Sequence, residues 1–286
     1  VPGEYITGRG EMDFRPKKNR ILEALKKGGI PLGMEVNTGN PSIIEILAYT
    51  GFDFYMLDME HTRLNRETME HCIRAADAAG ITTLVRVTQN DPGLICHVQE
   101  AGAQGVVVPH VATPQDVQKI IDALRYPPEG KCGVCPSVRA ANFSSADYEN
   151  YIAYSNQNNM IIPLLEDRSG FDNAAEIFAL LKPGVDAIGT GMGDLAFSLA
   201  KPGQKVDRQH PFIREAAAKV ISLSKKTGIP IMDMAFSPEG AKDTIARGAR
   251  ILLYSIDQLL FYSLCQDIVR AVKGQELQQD VKGRKE

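Results

Sequence analysis

Eight strand-length apolar runs, each followed by a helix with its own start and stop signals, predict an α/β chain closed into a (β/α)8 barrel of the TIM type. Three observations carry this expectation. The runs begin near residues 30, 52, 82, 105, 160, 185, 229 and 251, so eight β/α units fill about 250 residues, the usual length of such a barrel. The run Phe52–Leu57 is bulky and continuously apolar, as a parallel strand covered on both faces is. The first run leads into Met34-Glu-Val-Asn-Thr-Gly39-Asn, which lacks the Gly-rich turn that opens a doubly wound dinucleotide-binding sheet.

Residues 1–17 are polar and punctuated by Pro and Gly, and read as an arm. A barrel domain over 18–274 and a polar tail over 275–286 follow. Asn19–Lys27 is a short helix closed by Gly28-Gly29, and Ile30–Val36 is the first strand. Helix Pro41–Tyr49, strand Phe52–Met59, helix Asn65–Ala79 and strand Thr82–Val87 continue the alternation. Helix Asp91–Ala101, strand Gly105–Val111 (which includes His110) and helix Thr113–Arg125 come next. Asn40-Pro41, Asp91-Pro92 and Thr113-Pro114 each place a capping side chain before a Pro whose missing N–H costs nothing in the first helical turn.

Residues 126–159 break this rhythm. Tyr126-Pro-Pro-Glu-Gly130 is a turn, 131–144 have no clear period, and Asp147–Ser155 reads as a helix. A connection this long inside a compact domain suggests a lid or a binding loop. The alternation then resumes with strand Met160–Leu165, helix Asn173–Leu181, strand Val185–Gly189 and helix Pro211–Lys226. Strand Ile229–Met234, helix Pro238–Arg247, strand Arg250–Ser255 and an amphipathic helix over 256–273 complete it.

Composition narrows the partners. The 286 residues are 44% hydrophobic and 23% charged, with a net charge of −3, which gives no footprint for nucleic acid or an anionic membrane. No run reaches the roughly 20 apolar residues of a membrane span, and the first residues lack the features of a secretory signal. Five cysteines, an odd number in a large chain, fit reduced, cytoplasmic usage rather than a disulfide framework. Cys132-Gly-Val-Cys135 forms a C-x-x-C, but it has no second ligand pair for zinc, and Pro136 follows where a redox motif would open a helix.

In a barrel the strand ends form one ring, and chemistry collects there. The ring gathers Asp58, Glu60 and His61 after the second strand, Arg86 after the third and His110 after the fourth. It continues with Glu166 after the fifth, Asp194 after the sixth and Asp257 after the eighth. Glu166 and Asp194 could hold a divalent cation whose octahedron water and a chelating substrate complete. Arg86 offers a planar donor to a carbonyl or carboxylate. His61, three residues beyond Asp58, could act as a general base oriented by that carboxylate. Gly191 and Gly193 would bring bare backbone N–H groups to an anion. Each has a plainer alternative: Glu166 pairing with Arg168, Asp194 capping a turn, Arg86 neutralising a buried carboxylate, His110 ending a strand. His71, His97 and His210 fall on helices or a cap and receive no role. Together the ring matches metal-assisted enolate chemistry on a 2-keto acid.

Over roughly residues 22–272 the chain resembles the metal-dependent class II 2-keto-acid aldolases of HpcH/HpaI type. The resemblance rests on Leu57-Asp-Met-Glu-His61, Val85-Arg86-Val and Gly102-Ala-Gln-Gly-Val-Val-Val-Pro109. Arg125-Tyr-Pro-Pro-Glu-Gly130, Leu165-Glu166 and Gly193-Asp194-Leu195 extend it. Val108-Pro-His110-Val, Ser155–Asn159 with Ile161-Ile-Pro163, and His210-Pro-Phe212 are similar to a branch that decarboxylates oxaloacetate and adds its enolate to a pyrone. The resemblance implies Glu166 and Asp194 as metal ligands and Arg86 as donor to the keto oxygen. It implies His61 with Asp58 as the acid/base pair, and Glu60 as a partner of metal-bound water. The N–H groups of Gly193 and Asp194 would receive the substrate carboxylate.

The same resemblance implies Mg2+ as cofactor, with Mn2+ or Co2+ as alternatives. It implies pyruvate or oxaloacetate as the keto acid, and a trimer or hexamer in which the helix over 256–273 packs on a neighbour. Four departures stand out. Where the family has Gly-x-Arg-Gly after Tyr-Pro-Pro this chain has Gly130-Lys131-Cys132-Gly133, so the Arg is missing and Lys131 sits nearby; Leu164 replaces Gln, Asp167 replaces Ser, and the Gly189–Asp194 loop is two residues longer. They leave the acceptor unassigned. The expected activity is a metal-dependent lyase at a C–C bond β to a 2-keto acid; a decarboxylase or decarboxylative synthase, and a non-catalytic ligand-binding barrel, are the alternatives.

Overall fold

The computed structural model describes residues 14–143, 147–200 and 203–273. Among them, eight parallel strands pair in chain order and close into a barrel, the last against the first. They are β1 Leu32–Val36, β2 Phe54–Asp58, β3 Thr82–Arg86, β4 Gly105–Val108, β5 Met160–Leu165, β6 Ile188–Thr190, β7 Ile231–Ala235 and β8 Ile251–Ile256. The helices before β5 are α1 Arg20–Lys26, α2 Pro41–Tyr49, α3 Arg66–Ala79, α4 Pro92–Ala101, α5 Pro114–Leu124 and α6 Tyr148–Asn158. Those after it are α7 Arg168–Asp172, α8 Ala174–Leu180, α9 Met192–Ser198, α10 Pro211–Thr227, α11 Pro238–Arg247 and α12 Asp257–Lys273. No helix among the described residues is long and apolar enough to cross a membrane. Residues 1–13 of the expected arm and the expected tail lie outside the described residues.

The capping chemistry acts as expected. Asn40, Asp91 and Thr113 each accept a backbone N–H from the first turn of α2, α4 and α5, and Thr113 forms a reciprocal capping box with Asp116. Most strand ends fall within one or two residues of expectation, and two depart by three. β4 stops at Val108 and does not reach His110, because Pro109 has no N–H for the ladder and His110 takes a left-handed φ of 53°. β6 starts at Ile188 rather than Val185, because Val185 and Asp186 fold back to donate their N–H groups to Lys182 O. Two short helices, α7 and α9, were not expected at the mouth ends of β5 and β6.

Apolar side chains divide between two cores. Outside the sheet, Val36, Leu57, Val85, Val106 and Leu165 pack beneath the helices. Inside the barrel, Phe54, Met56, Leu84, Ile162 and Leu253 fill the lumen, and Ile21 and Leu22 of α1 plug its lower end. Gly33 on β1 makes room for the largest of these, since a Cβ there would meet the Phe54 ring at 2.3 Å. α12 leaves the barrel with Leu259, Phe261, Tyr262, Leu264 and Val272 exposed.

The 126–159 excursion lies below the barrel, between α5 and β5, away from the strand ends that carry chemistry. Its Tyr126, Cys132, Ala140 and Tyr151 form a small core of their own, against which Phe14 packs. A buried ion pair anchors its two ends. Arg125 donates Nη2 to Asp186 Oδ1 at 2.5 Å and Nη1 to Asn159 O at 2.5 Å. Asp186 also accepts the N–H of Ile161 and of Lys182, so α5, β5 and the turn before β6 meet on one carboxylate. Arg125→Ala would strand that carboxylate in the interior. We expect it to lower unfolding stability by about 3–5 kcal/mol, with Arg125→Met milder because it keeps the packing volume, as urea titration would measure.

Candidate active site

The strand register sets the site. Asp58 closes β2 directly beside Arg86 at the end of β3. Asp58 is fully buried, and all its contacts are donors: Arg86 Nε reaches Oδ1 at 2.7 Å, the Glu60 N–H reaches Oδ1 at 2.9 Å and the His61 N–H reaches Oδ2 at 3.2 Å. Burial pushes the Asp58 carboxyl upward, but the bond and charge of Arg86 with the two backbone donors outweigh it, and it titrates below the ordinary range. Asp58 therefore touches the backbone of His61, and the imidazole is not among its hydrogen-bond partners. The imidazole stands 68% exposed, with Nε2 3.6 Å from Glu60 Oε2.

Arg86 is held by a further carboxylate that the sequence reading did not single out. Glu35, buried in β1, accepts Nη2 at 3.1 Å, and Glu60 Oε2 lies 3.4 Å from Nε. Burial raises the Glu35 carboxyl, an effect that Arg86 partly offsets. Nη1 of Arg86 has no acceptor among the described residues. The signal for Glu35 was present: a lone charge between Met34 and Val36 in an apolar strand, two residues past Gly33 and so on the same, inward face.

Glu60 also reaches across the mouth, with Oε1 3.5 Å from His110 Nε2. His110 Nδ1 lies 3.2 Å from Glu166 Oε1, and the His110 N–H donates to that same oxygen at 2.6 Å. His110 is thus joined to the site by backbone and side chain, and its left-handed φ aims its N–H at Glu166. Burial raises the Glu166 carboxyl, His110 counters, and the negative charges of Glu60 and Asp194 add to the rise.

Glu166 and Asp194 face one small space above Gly191. A Cβ at Gly191 would lie 2.6 Å from Glu166 Cβ, 3.1 Å from Glu166 Oε2 and 3.5 Å from Asp194 Oδ2. Two carboxylates about a bare backbone fit a hard divalent cation that keeps water and substrate in its other positions. No group of three or more His, Cys, Asp or Glu side chains forms a closed metal site among the described residues. Gly191 caps α9, whose first bond runs from Leu195 N to Gly191 O, so the Gly193 and Asp194 N–H groups have no intrahelical acceptor. Glu35, Arg86, Glu166, Gly191, Gly193 and Asp194 line one cavity of about 710 Å3, with His61 outside that lining.

Other candidates lie elsewhere. Asp257 holds the loop after β1, accepting the N–H groups of Asn37 at 2.9 Å and Thr38 at 3.2 Å. Asp167 caps α7, Lys131 pairs with Asp122 below the barrel, and Arg168 pairs with Asp172 rather than Glu166. Leu164 lines the cavity with an apolar wall.

Residues 32–263 match the family model described as HpcH/HpaI aldolase/citrate lyase. The chain belongs to the HpcH/HpaI family. It is an aldolase-type carbon–carbon lyase of that family. It is 30% identical to 5-keto-4-deoxy-D-glucarate aldolase of Klebsiella pneumoniae, over 92% of this chain and 100% of that protein. It is 29% identical to 2-dehydro-3,6-dideoxy-6-sulfogluconate aldolase of Pseudomonas putida, over 88% of this chain and 96% of that protein. Macrophomate synthase superposes with a TM-score of 0.74 at 25% identity, covering 93% of this chain and 96% of its own.

Asp58 makes this HpcH/HpaI site acid-labile. Its folded pKa lies below the ordinary value of 3.8, so its contribution to stability is complete above that value and is lost as pH falls through the folded one. Asp58→Asn should be less stable at neutral pH, and its urea midpoint should fall less than the parent's on acidification below about pH 4.

Proposed function

We propose that this chain is a divalent-metal-dependent aldolase that makes or cleaves a C–C bond through the enolate of a pyruvate-type 2-keto acid. The observation that carries the reading is the pair Glu166 and Asp194 about Gly191, opening into the cavity that Arg86 lines. Glu166 and Asp194 would hold the cation. Mg2+, with Mn2+ or Co2+ able to replace it, supplies Lewis-acid polarisation of the keto acid.

The protein's own groups do the rest. The Gly193 and Asp194 N–H groups receive the substrate carboxylate, as exposed first-turn donors do for anions. Arg86 directs Nη1 at the keto oxygen and stabilises charge as it builds there, because Asp58 and Glu35 have fixed its other nitrogens. His61 moves the proton at the reacting carbon or the acceptor oxygen, on a loop that Asp58 holds by its backbone. Glu60 stands between His61, Arg86 and His110, and steadies the polar groups around the cation.

A second reading is favoured by the match to macrophomate synthase along nearly the whole chain. In it the enolate arises by loss of CO2 from oxaloacetate. The acceptor is unassigned in both. We further propose that the protein is cytoplasmic and forms a homo-oligomer, a trimer or hexamer, in which α12 buries its apolar residues on a neighbour. Exposed aromatic and aliphatic side chains on one helix favour this.

Proton exchange tests the reading without knowledge of the acceptor. Pyruvate in D2O with Mg2+ should lose its methyl NMR signal, and EDTA should prevent the loss. Glu166→Ala and Asp194→Ala should abolish the exchange with the fold intact, and His61→Ala should slow it by about 10²- to 10⁴-fold. Normal exchange in either carboxylate variant removes the metal assignment. Oxaloacetate consumption without pyruvate exchange selects the decarboxylating reading. Glu35→Ala should slow exchange by about 10- to 100-fold by freeing one side of Arg86, and Glu35→Gln should recover part of it; an unchanged rate for Glu35→Ala leaves Arg86 fixed by Asp58 alone.

A further inference from the structure

The Cys-x-x-Cys of the 126–159 excursion is not a pair in space. Cys135 turns to Ser137, with Sγ 3.3 Å from its Oγ. Cys132 instead meets Cys96 of α4, sulfur to sulfur, at 3.7 Å. The Cys132 backbone is fixed by an N–H bond to Arg125 O at 3.0 Å, and Gln99 Nε2 contacts its sulfur at 3.8 Å. The two thiols thus stand in van der Waals contact on two elements that nothing covalent joins. They line a surface cavity of about 660 Å3 with Lys131 and Gly133, which gives a small molecule access to them.

The other cysteines set the contrast. Cys72 is buried, bonds Gly39 O, and has its thiol pushed up to about 11 by burial. Cys265 sits on α12, far along the chain from any of them. In the facing pair, the bond from Cys132 lowers the Cys96 thiol, while that bond and burial raise Cys132. Cys96 is partly exposed while Cys132 is buried, so a peroxide entering from the cavity reaches Cys96 first and Cys132 stands behind it as the thiol that resolves it.

We propose that Cys96 and Cys132 are a peroxide-sensitive dithiol, which closes to a reversible disulfide and staples the excursion below the barrel to α4. The Cys96 thiolate attacks one peroxide oxygen; the O–O bond breaks, hydroxide leaves and is protonated to water, and Cys96 becomes a sulfenic acid. The Cys132 sulfur then attacks Cys96 Sγ; the S–O bond breaks, and the departing hydroxide takes the Cys132 proton as a second water. Two thiols lose two electrons and the peroxide gains them. The sulfurs close from contact to a bond of about 2.0 Å. The excursion is held by its own small aromatic core and by the Arg125–Asp186 pair at its ends, and a covalent tie at Cys132 adds a restraint between it and α4.

The test uses the full chain, reduced and then treated with hydrogen peroxide at small molar excess. Titratable thiols should fall from five to three, and dithiothreitol should restore them. Peptide mapping without reductant should find Cys96 linked to Cys132. The oxidised parent should melt a few degrees higher than the reduced, and Cys96→Ser should show no such rise. Cys132→Ser should accumulate a sulfenic acid at Cys96 that dimedone traps. A Cys132–Cys135 link, retention of all five thiols, an unchanged melting temperature or an unmodified Cys96 in Cys132→Ser would each overturn the proposal.

Discussion

The mouth of the barrel depends on one buried carboxylate. Asp58 accepts a guanidinium from the neighbouring strand and two N–H groups from the loop that follows it. A single ionised group thereby sets three things: the direction of Arg86, the path of the chain through Glu60 and His61, and the alignment of β2 with β3. Its burial would be prohibitive without these partners, since an isolated carboxylate in the interior protonates rather than stay charged. Four carboxylates then crowd a small volume around Arg86 and His110. Asp58, Glu35 and Glu60 face the Arg86 guanidinium, and Glu166 accepts the His110 N–H.

The barrel was legible because its determinants are local. Strand-length apolar runs, caps followed by Pro, and Gly at helix ends all act within a few residues, and their repetition in order leaves few topologies. What was not legible depends on neighbours distant in sequence. Val185 looked like the start of a strand, but Asp186 is taken by Arg125 and folds its turn back. His110 looked like part of a strand, but Pro109 ends the ladder. Asp58 looked like a partner for the His61 ring, but Arg86 and the loop backbone occupy its oxygens. Glu35 was missed because attention went to strand ends, while its side chain points into the lumen one residue before the end of β1. The ring of strand-end groups was readable as positions; their contacts required the register.

The two ends of the barrel are differently built. Above, the lumen opens into a polar cavity bounded by short segments: the loop at 59–62, Pro109-His110, and the one-turn entries into α7 and α9. Below, α1 plugs the lumen and the long excursion folds onto α3 and α4 with its own aromatic core. Lys131 and Cys132, where this chain departs from the family's usual sequence, belong to the lower end. Leu164 and the longer loop before Asp194 belong to the upper one. Changes at the two ends are separated by the apolar lumen of the barrel.

The pairing of β1 with β8 joins segments at opposite ends of the barrel domain, with Leu32 beside Leu252. Until β8 exists, β1 has one ladder and one bare edge, and the growing sheet carries a second bare edge at whichever strand was last made. A ribosome must therefore deliver every strand from β1 through β8 before the cylinder can shut. During that interval the lumen side chains face water, and only the sequential β/α pairs can form early. Translation speed and early capture of those open edges thus become part of how this chain reaches its native state.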